Sequence, residues 1–220
     1  MRKGSVVSVP ASIFLFGGLA ACSSSGSNGS GSVSGTVAGT SFSVASEVAI
    51  IGPASSSSTS CAVYSDGGLV DPGCVPTVTS SGQSLGIVLT NRPELTCSAF
   101  QVESAKPHAN TDLLTLEVFT QTGTLSNGTY AVPSTANAAS GALAQFQTLD
   151  STCAEGINLP AASTGSVTLT EVNSTRAAGT YTFTFGTQGT FTGSFDIPIC
   201  SLPRVQNTPA TDAGPPVCVH

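Results

Sequence analysis

Residues 166–199 read SVTLTEVNSTRAAGTYTFTFGTQGTFTGSFDIPI. Val167 and Leu169 alternate with Thr168 and Thr170, and after a loop through Arg176 the residues Tyr181, Phe183 and Phe185 alternate with Thr180, Thr182 and Thr184. Gly186-Thr187-Gln188-Gly189 turns the chain, and Phe191, Phe195 and Ile197 return on one face, opposite Thr190, Thr192, Ser194 and Asp196. Successive side chains of a strand point to opposite faces, so this period of two predicts a three-stranded antiparallel meander with one aromatic and one hydroxyl face. An aromatic row can stack on a sugar. At period two within a sheet it is expected to be the core side.

The same rhythm extends towards the N-terminus. Leu114, Leu116 and Val118 alternate with Thr115 and Glu117, which predicts a strand over 113–119, and the apolar run LGIVLT at 85–90 predicts a central strand. Asn91 as a cap, Pro93 in a first turn, Glu94 at the positive end of the dipole, and Leu95, Ala99 and Val102 at helical spacing predict one short helix over 93–104. Asn127-Gly128 signals a turn before shorter strands at 129–132 and 142–149. The stretch 33–51 fits two strands joined near Gly39. Gly35 and Gly39 have the spacing of a membrane-helix dimer motif, but the polar, strand-like surroundings exclude it. A Pro/Ser loop at 52–60, a short strand from Cys61 and a turn-rich loop at 66–76 complete the pattern. About ten short strands with regular turns predict an all-β fold: a single antiparallel β-sandwich or barrel-like domain over 33–200 with one short helix. A Pro-rich tail, 201–220, follows and is expected to be extended.

Composition points away from nucleic acid. Of 220 residues only 8% are charged, 6 basic against 12 acidic. Without Arg2 and Lys3 four basic residues face twelve acidic ones, a net charge of about −8. Arg92, Lys106, Arg176 and Arg204 stand singly, whereas phosphate-backbone binding needs clustered cations. The surface must therefore be built largely of hydroxyl groups and backbone, as suits an extracellular β protein.

The first 22 residues, MRKGSVVSVPASIFLFGGLAAC, combine a basic start, an apolar middle from Val6 to Leu19 and small residues before a cysteine, the pattern of a secretory signal. Pro10 and Gly17-Gly18 interrupt the apolar run, which falls short of the roughly 20 residues a membrane-spanning helix needs. Leu19-Ala20-Ala21-Cys22 resembles the lipobox of bacterial lipoproteins. The resemblance implies cleavage of a signal peptide, 1–21, and lipidation of Cys22 as the first mature residue. Two or three acyl chains make a stable anchor where one holds only marginally. Ser23 stands where the family's inner-membrane retention signal has Asp, which implies the outer membrane in a cell that has one. Residues 23–32, SSSGSNGSGS, lack any apolar residue with which to fold and read as a flexible tether between Cys22 and the domain. Residues 179–200, GTYTFTF to GTFTGSFDIPIC, are similar to the end of β-rich envelope lipoproteins, a resemblance that implies no activity.

With Cys22 lipidated, Cys61, Cys74, Cys97, Cys153, Cys200 and Cys218 remain as disulfide candidates in an oxidising envelope, with about 15 possible connectivities. Cys61 and Cys74 enclose a short turn-rich loop and make a plausible local pair. Cys153 with Cys200 would tie two late strands, leaving Cys97 with Cys218. No C-x-x-C pair exists, so no zinc site is expected, and no cofactor either.

Catalytic motifs are sparse. His108, beside Pro107 and ahead of Asn110 and Asp112, and the terminal His220 are the histidines, and no G-x-S-x-G elbow occurs. His108 reads as a solvated loop residue rather than a catalytic one. Glu171 with Asp196 could serve glycosidase chemistry at a suitable separation, and Asp66 with Asp71 loosely suggests a calcium loop without EF-hand spacing. The expectation is a lipid-anchored envelope module, structural or binding, that touches the membrane through its N-terminal lipid and a protein or glycan partner elsewhere, without enzymatic activity. The alternatives are a secreted hydrolase and a barrel-shaped carrier of a small apolar ligand with Tyr181 and Phe183 lining its cavity.

Overall fold

A computed structural model describes residues 30–54, 81–93, 96–97, 108–135 and 138–200. Among the described residues eleven strands form two antiparallel sheets. They are β1 (Ser32–Val37), β2 (Thr40–Ser41), β3 (Ser46–Pro53), β4 (Gln83–Thr90), β5 (Thr111–Thr120), β6 (Gly128–Ala131), β7 (Ser140–Leu149), β8 (Glu155–Asn158), β9 (Thr164–Val172), β10 (Arg176–Thr184) and β11 (Gly189–Pro198). One sheet runs β2-β1-β11-β10-β9-β6 and the other β3-β4-β5-β7-β8. The sheets pack face to face without closing, so the molecule is a β-sandwich and not a barrel.

The meander forms as its alternation requires. β9, β10 and β11 are consecutive neighbours, and the hairpin at 185–189 is closed by Phe185 N–H to Gly189 O (2.9 Å) and Gln188 N–H to Phe185 O (2.8 Å). Val167, Leu169, Tyr181, Phe183, Phe185, Phe191, Phe195 and Ile197 are all buried. Arg176, read as part of a loop, is instead the first residue of β10, because Asn173 closes the turn early by accepting the N–H groups of Thr175 and Arg176. The opposing sheet contributes Leu85, Ile87, Leu89, Leu114, Leu116, Val118, Ala142, Ala144 and Phe146. At the centre, Phe146 meets Phe191 edge-on at 5.0 Å, with Phe42 and Phe185 at 6.2 and 6.1 Å from Phe191.

Glycines opposite aromatic rings set how closely these strands can lie. Tyr181 pairs with Gly193, where a Cβ would fall 2.6 Å from the tyrosine hydroxyl and 1.9 Å from Ser32 O. The ring therefore lies across Gly193 and its hydroxyl donates to Ser32 O on the next strand, at 3.1 Å. Phe195 covers Gly179 and Phe183 covers Gly165 in the same manner.

The crossings between sheets were not evident in the chain. After the turn at Ala38 and Gly39, β2 is only two residues long, and the second predicted strand continues as β3 in the other sheet. Asn127-Gly128 does not make a hairpin: it carries the chain from β5 over to β6, which pairs with β9. The helix predicted over 93–104 falls mostly outside the described residues, among which Cys97 alone is helical, and the strand predicted from Cys61 lies outside them.

One disulfide overturns two predicted pairings. Cys97 bonds Cys200, with Cα atoms 5.3 Å apart. After β11 the chain crosses to the edge of the opposite sheet, where Ile199 bridges Ala49 and Cys200 N–H donates to Ala49 O at 2.7 Å. Cys200 thus lies on β3 beside Val48, with Ile50, Val88 and Cys97 packed around it. Cys153 sits in the turn between β7 and β8, at the far edge of that five-stranded sheet. Four interstrand steps of about 4.8 Å separate the two edges, whereas bridged Cα atoms lie within about 7 Å. The predicted Cys153–Cys200 bridge is therefore impossible, and the Cys97–Cys218 bridge falls with it. Cys153 is itself disulfide-bonded. Cys22, Cys61, Cys74 and Cys218 lie outside the described residues.

Candidate functional site

The outward face of the six-stranded sheet is a grid of hydroxyl groups. Ser32, Ser194, Thr180, Thr168 and Thr129 make one row across five strands. Ser34, Thr192, Thr182 and Ser166 make a second, and Thr36, Thr190, Thr184 and Thr164 a third. The pleat sets the repeat at about 4.8 Å between strands and about 6.8 Å along them. Neighbours join in pairs: Ser32 with Ser194 and Ser34 with Thr192 at 2.8 Å, Thr184 with Thr190 at 2.9 Å, and Thr129 with Thr168 at 3.0 Å. A hydroxyl has one proton and two lone pairs, so each pair fixes its rotamers and still offers hydrogen-bonding capacity to a ligand.

Charge enters this face at one end. Glu171 and Asp196 both flank Ala178, on β9 and β11, and Arg176 lies between them. Its guanidinium donates to both oxygens of Asp196 at 2.7 and 2.5 Å and lies 3.8 Å from Glu171. These hydrogen bonds hold the Asp196 carboxyl below the usual carboxylate range. The suggested glycosidase pair is thus brought together, but Arg176 binds Asp196 as an anion, the opposite of what a general acid requires.

His108 is buried rather than solvated, and its carbonyl accepts the Thr111 hydroxyl at 2.8 Å. It lies where the chain enters β5, on the other sheet from Glu171 and Asp196. Asn91 braces the same end, exchanging hydrogen bonds with Asp112 at 3.0 and 3.1 Å. Tyr181 and Phe183 both belong to the packed core between the sheets. A cleft of about 270 Å³ between Leu159-Pro160-Ala161 and the 185–188 turn is the size of a very small ligand pocket. Its lining is mainly apolar and holds no titratable group. Among the described residues no three His, Cys, Asp or Glu side chains gather as a metal site. Asp66, Asp71 and His220 lie outside those residues.

The site that sequence reasoning missed is Glu47. It stands on β3 in phase with Ala49, so its side chain points between the sheets, and it is only 7% exposed. Among the described residues no side chain donates a hydrogen bond to either carboxylate oxygen. Burial, reinforced by the like charge of Asp196, raises its pKa to about 7, partly offset by hydrogen bonding from the backbone of Gly31 and Asp196. Burial, together with the negative charge of Glu47, also raises the Tyr181 hydroxyl. The available signal was an acid standing in phase with apolar residues in SEVAII.

Searches of family models, of curated proteins and of solved structures each returned no match to this chain.

Proposed function

We propose that this chain is a lipid-anchored module of the cell envelope that binds an uncharged, hydroxyl-rich glycan on the outer face of its six-stranded sheet. The observation that carries the reading is the order of parts: a lipobox-like Leu19-Ala20-Ala21-Cys22, a run of Ser, Gly and Asn, then a disulfide-bonded sandwich whose outward face is nearly all Ser and Thr. An array with one neutralised cation among its hydroxyls complements a neutral ligand better than an anionic one, since burying an unpaired charge is costly. A disulfide is consistent with an oxidising compartment.

The anchor is tested by the intact mass of the protein extracted from membranes. The expected species begins at Cys22 and carries acyl chains, and Cys22→Ser moves the protein to the soluble fraction. An unacylated wild-type protein, or a variant that stays with the membrane, would refute the anchor.

The face is tested separately by retention on cross-linked dextran, agarose and heparin. Retention on a neutral matrix is expected, with none on heparin. The triple change Thr180→Val, Thr182→Val and Thr192→Val keeps side-chain shape while removing the hydroxyls. It should weaken retention at least about tenfold, the sum of three lost hydrogen bonds at about 0.5–1.5 kcal/mol each, without altering the melting temperature. Absence of retention on either neutral matrix would remove the glycan reading.

A further inference from the structure

The buried carboxyl of Glu47 lies directly beneath the point where the chain enters the sandwich. A Cβ built on Gly31 would fall 2.2 Å from Glu47 Oε2, so the backbone there rests on the carboxyl with no room for any side chain. The entry is lightly held. Ser30 N–H reaches Asp196 O at 3.3 Å, Ser32 O accepts the Tyr181 hydroxyl at 3.1 Å, and Ser32 Oγ meets Ser194 Oγ at 2.8 Å.

Among the ionisable groups around Glu47, Asp196 is the one whose charge disfavours ionisation. Asp196 on β11 is an anion. Tyr181 on β10 is a neutral phenol whose proton is directed at Ser32 O rather than at the carboxyl. Arg176, the nearby cation, is engaged on the outer face by Asp196 and Glu171. On β4 the residue paired with Glu47 is Leu89, and the Arg92 carbonyl beyond it accepts the hydroxyl of Ser46, which points to the opposite face of β3.

We propose that Glu47 is a proton-operated clasp on residues 30–32: protonated it lets them lie against β11, and ionised it displaces them so that water can reach the carboxylate. A buried carboxylate set beside another anion must be hydrated or neutralised, and the backbone of Gly31 lies directly against it. Three extended residues amount to about 10 Å of chain, so release lengthens the connection between residue 22 and the sandwich on the alkaline side.

The sign follows from linkage. The folded state holds the proton up to about pH 7, whereas an unfolded glutamate loses it near 4.5. The closed clasp is therefore fully favoured below about pH 4.5 and loses its advantage as pH rises to about 7.

Hydrogen exchange of the full-length chain tests this, with protection factors corrected for the intrinsic pH dependence of exchange. Between pH 5.5 and 8.5 the peptide covering residues 30–33 should lose at least about tenfold in protection, corresponding to about one pKa unit of the shift, while peptides from β9 and β10, which do not touch residues 30–32 through their backbone, stay unchanged. Glu47→Gln should hold the pH 5.5 value at both pH values. Asp196→Asn, which removes the like charge, should move the wild-type midpoint to lower pH. Equal protection of the wild-type peptide at the two pH values overturns the proposal, as does a Glu47→Gln variant that loses protection as the wild type does. The readout concerns the polypeptide alone, so it is independent of whether Cys22 carries lipid or the hydroxyl face binds a glycan.

Discussion

Replacing either Cys97 or Cys200 with Ser lowers the unfolding free energy by about 4 kcal/mol, the effect of opening a cross-link around a loop of this size. The bonded residues are 103 positions apart, so the bridge removes much of the freedom of the unfolded chain. It also covers the outer side of β3, where Val48, Ile50 and Val88 pack with Cys97 and Cys200. Without it the hydrogen bond from Cys200 to Ala49 has only Ile199 to hold the chain on that edge, and an uncovered edge strand is a template for pairing with another chain.

Urea unfolding of the two single variants and of the double variant checks this. All three should share one lowered midpoint, because each removes the same bond. Mass analysis after alkylation adds a sharper condition: Cys200→Ser should free the thiol of Cys97 and no other. A thiol released at Cys153 instead would return the rejected Cys153–Cys200 pairing and with it a different edge-to-edge topology.

Phe191→Ala should cost about 4 kcal/mol, within the roughly 3–5 kcal/mol of a buried Phe truncation. Phe191 touches rings from both sheets and from the connection between β2 and β3: Phe146 at 5.0 Å, Phe185 at 6.1 Å and Phe42 at 6.2 Å. Its neighbours are themselves stiff rings in a solid core, so the space cannot collapse and most of the cavity cost is kept. For a domain of this size each kcal/mol corresponds to about 2–4 °C in melting temperature, so a fall of about 10 °C or more is expected in a thermal scan. Phe119→Ala, at a half-buried position on the outward side of β5, is the control and should cost far less. If the two losses are equal, the core is not centred on Phe191.

Much of the architecture was legible because it depends on the alternation of side chains along single strands. The inward positions Val167, Leu169, Tyr181, Phe183, Phe191, Phe195 and Ile197, and Leu114, Leu116 and Val118 on β5, follow from the pleat alone, whatever the strands pair with. So does the hydroxyl face, since Thr180, Thr182, Thr190 and Thr192 occupy the opposite phase. The 185–189 hairpin is equally local: Gly186 and Gly189 both take positive φ, 55° and 129°, which glycine adopts at little cost.

The sequence by itself therefore determined most of the strands, though not β8, the buried side of those with clear alternation, and where the tightest turn falls. Only the tertiary structure decided which strands meet. β1 pairs with β11 across most of the chain, β6 leaves its neighbours to join β9, and Cys200 finds Cys97 rather than Cys153. The cost of closing a loop rises only slowly with its length, so nearness in sequence hardly ranks the possible partners. Fit between distant surfaces does: glycine faces an aromatic ring at Gly193 and Tyr181, and the carboxyl of Glu47 takes the space that a side chain on Gly31 would fill. That meeting of β3 with the chain's entry joins residues with no shared periodicity, which is why the buried acid became a candidate switch only once the two sheets were packed.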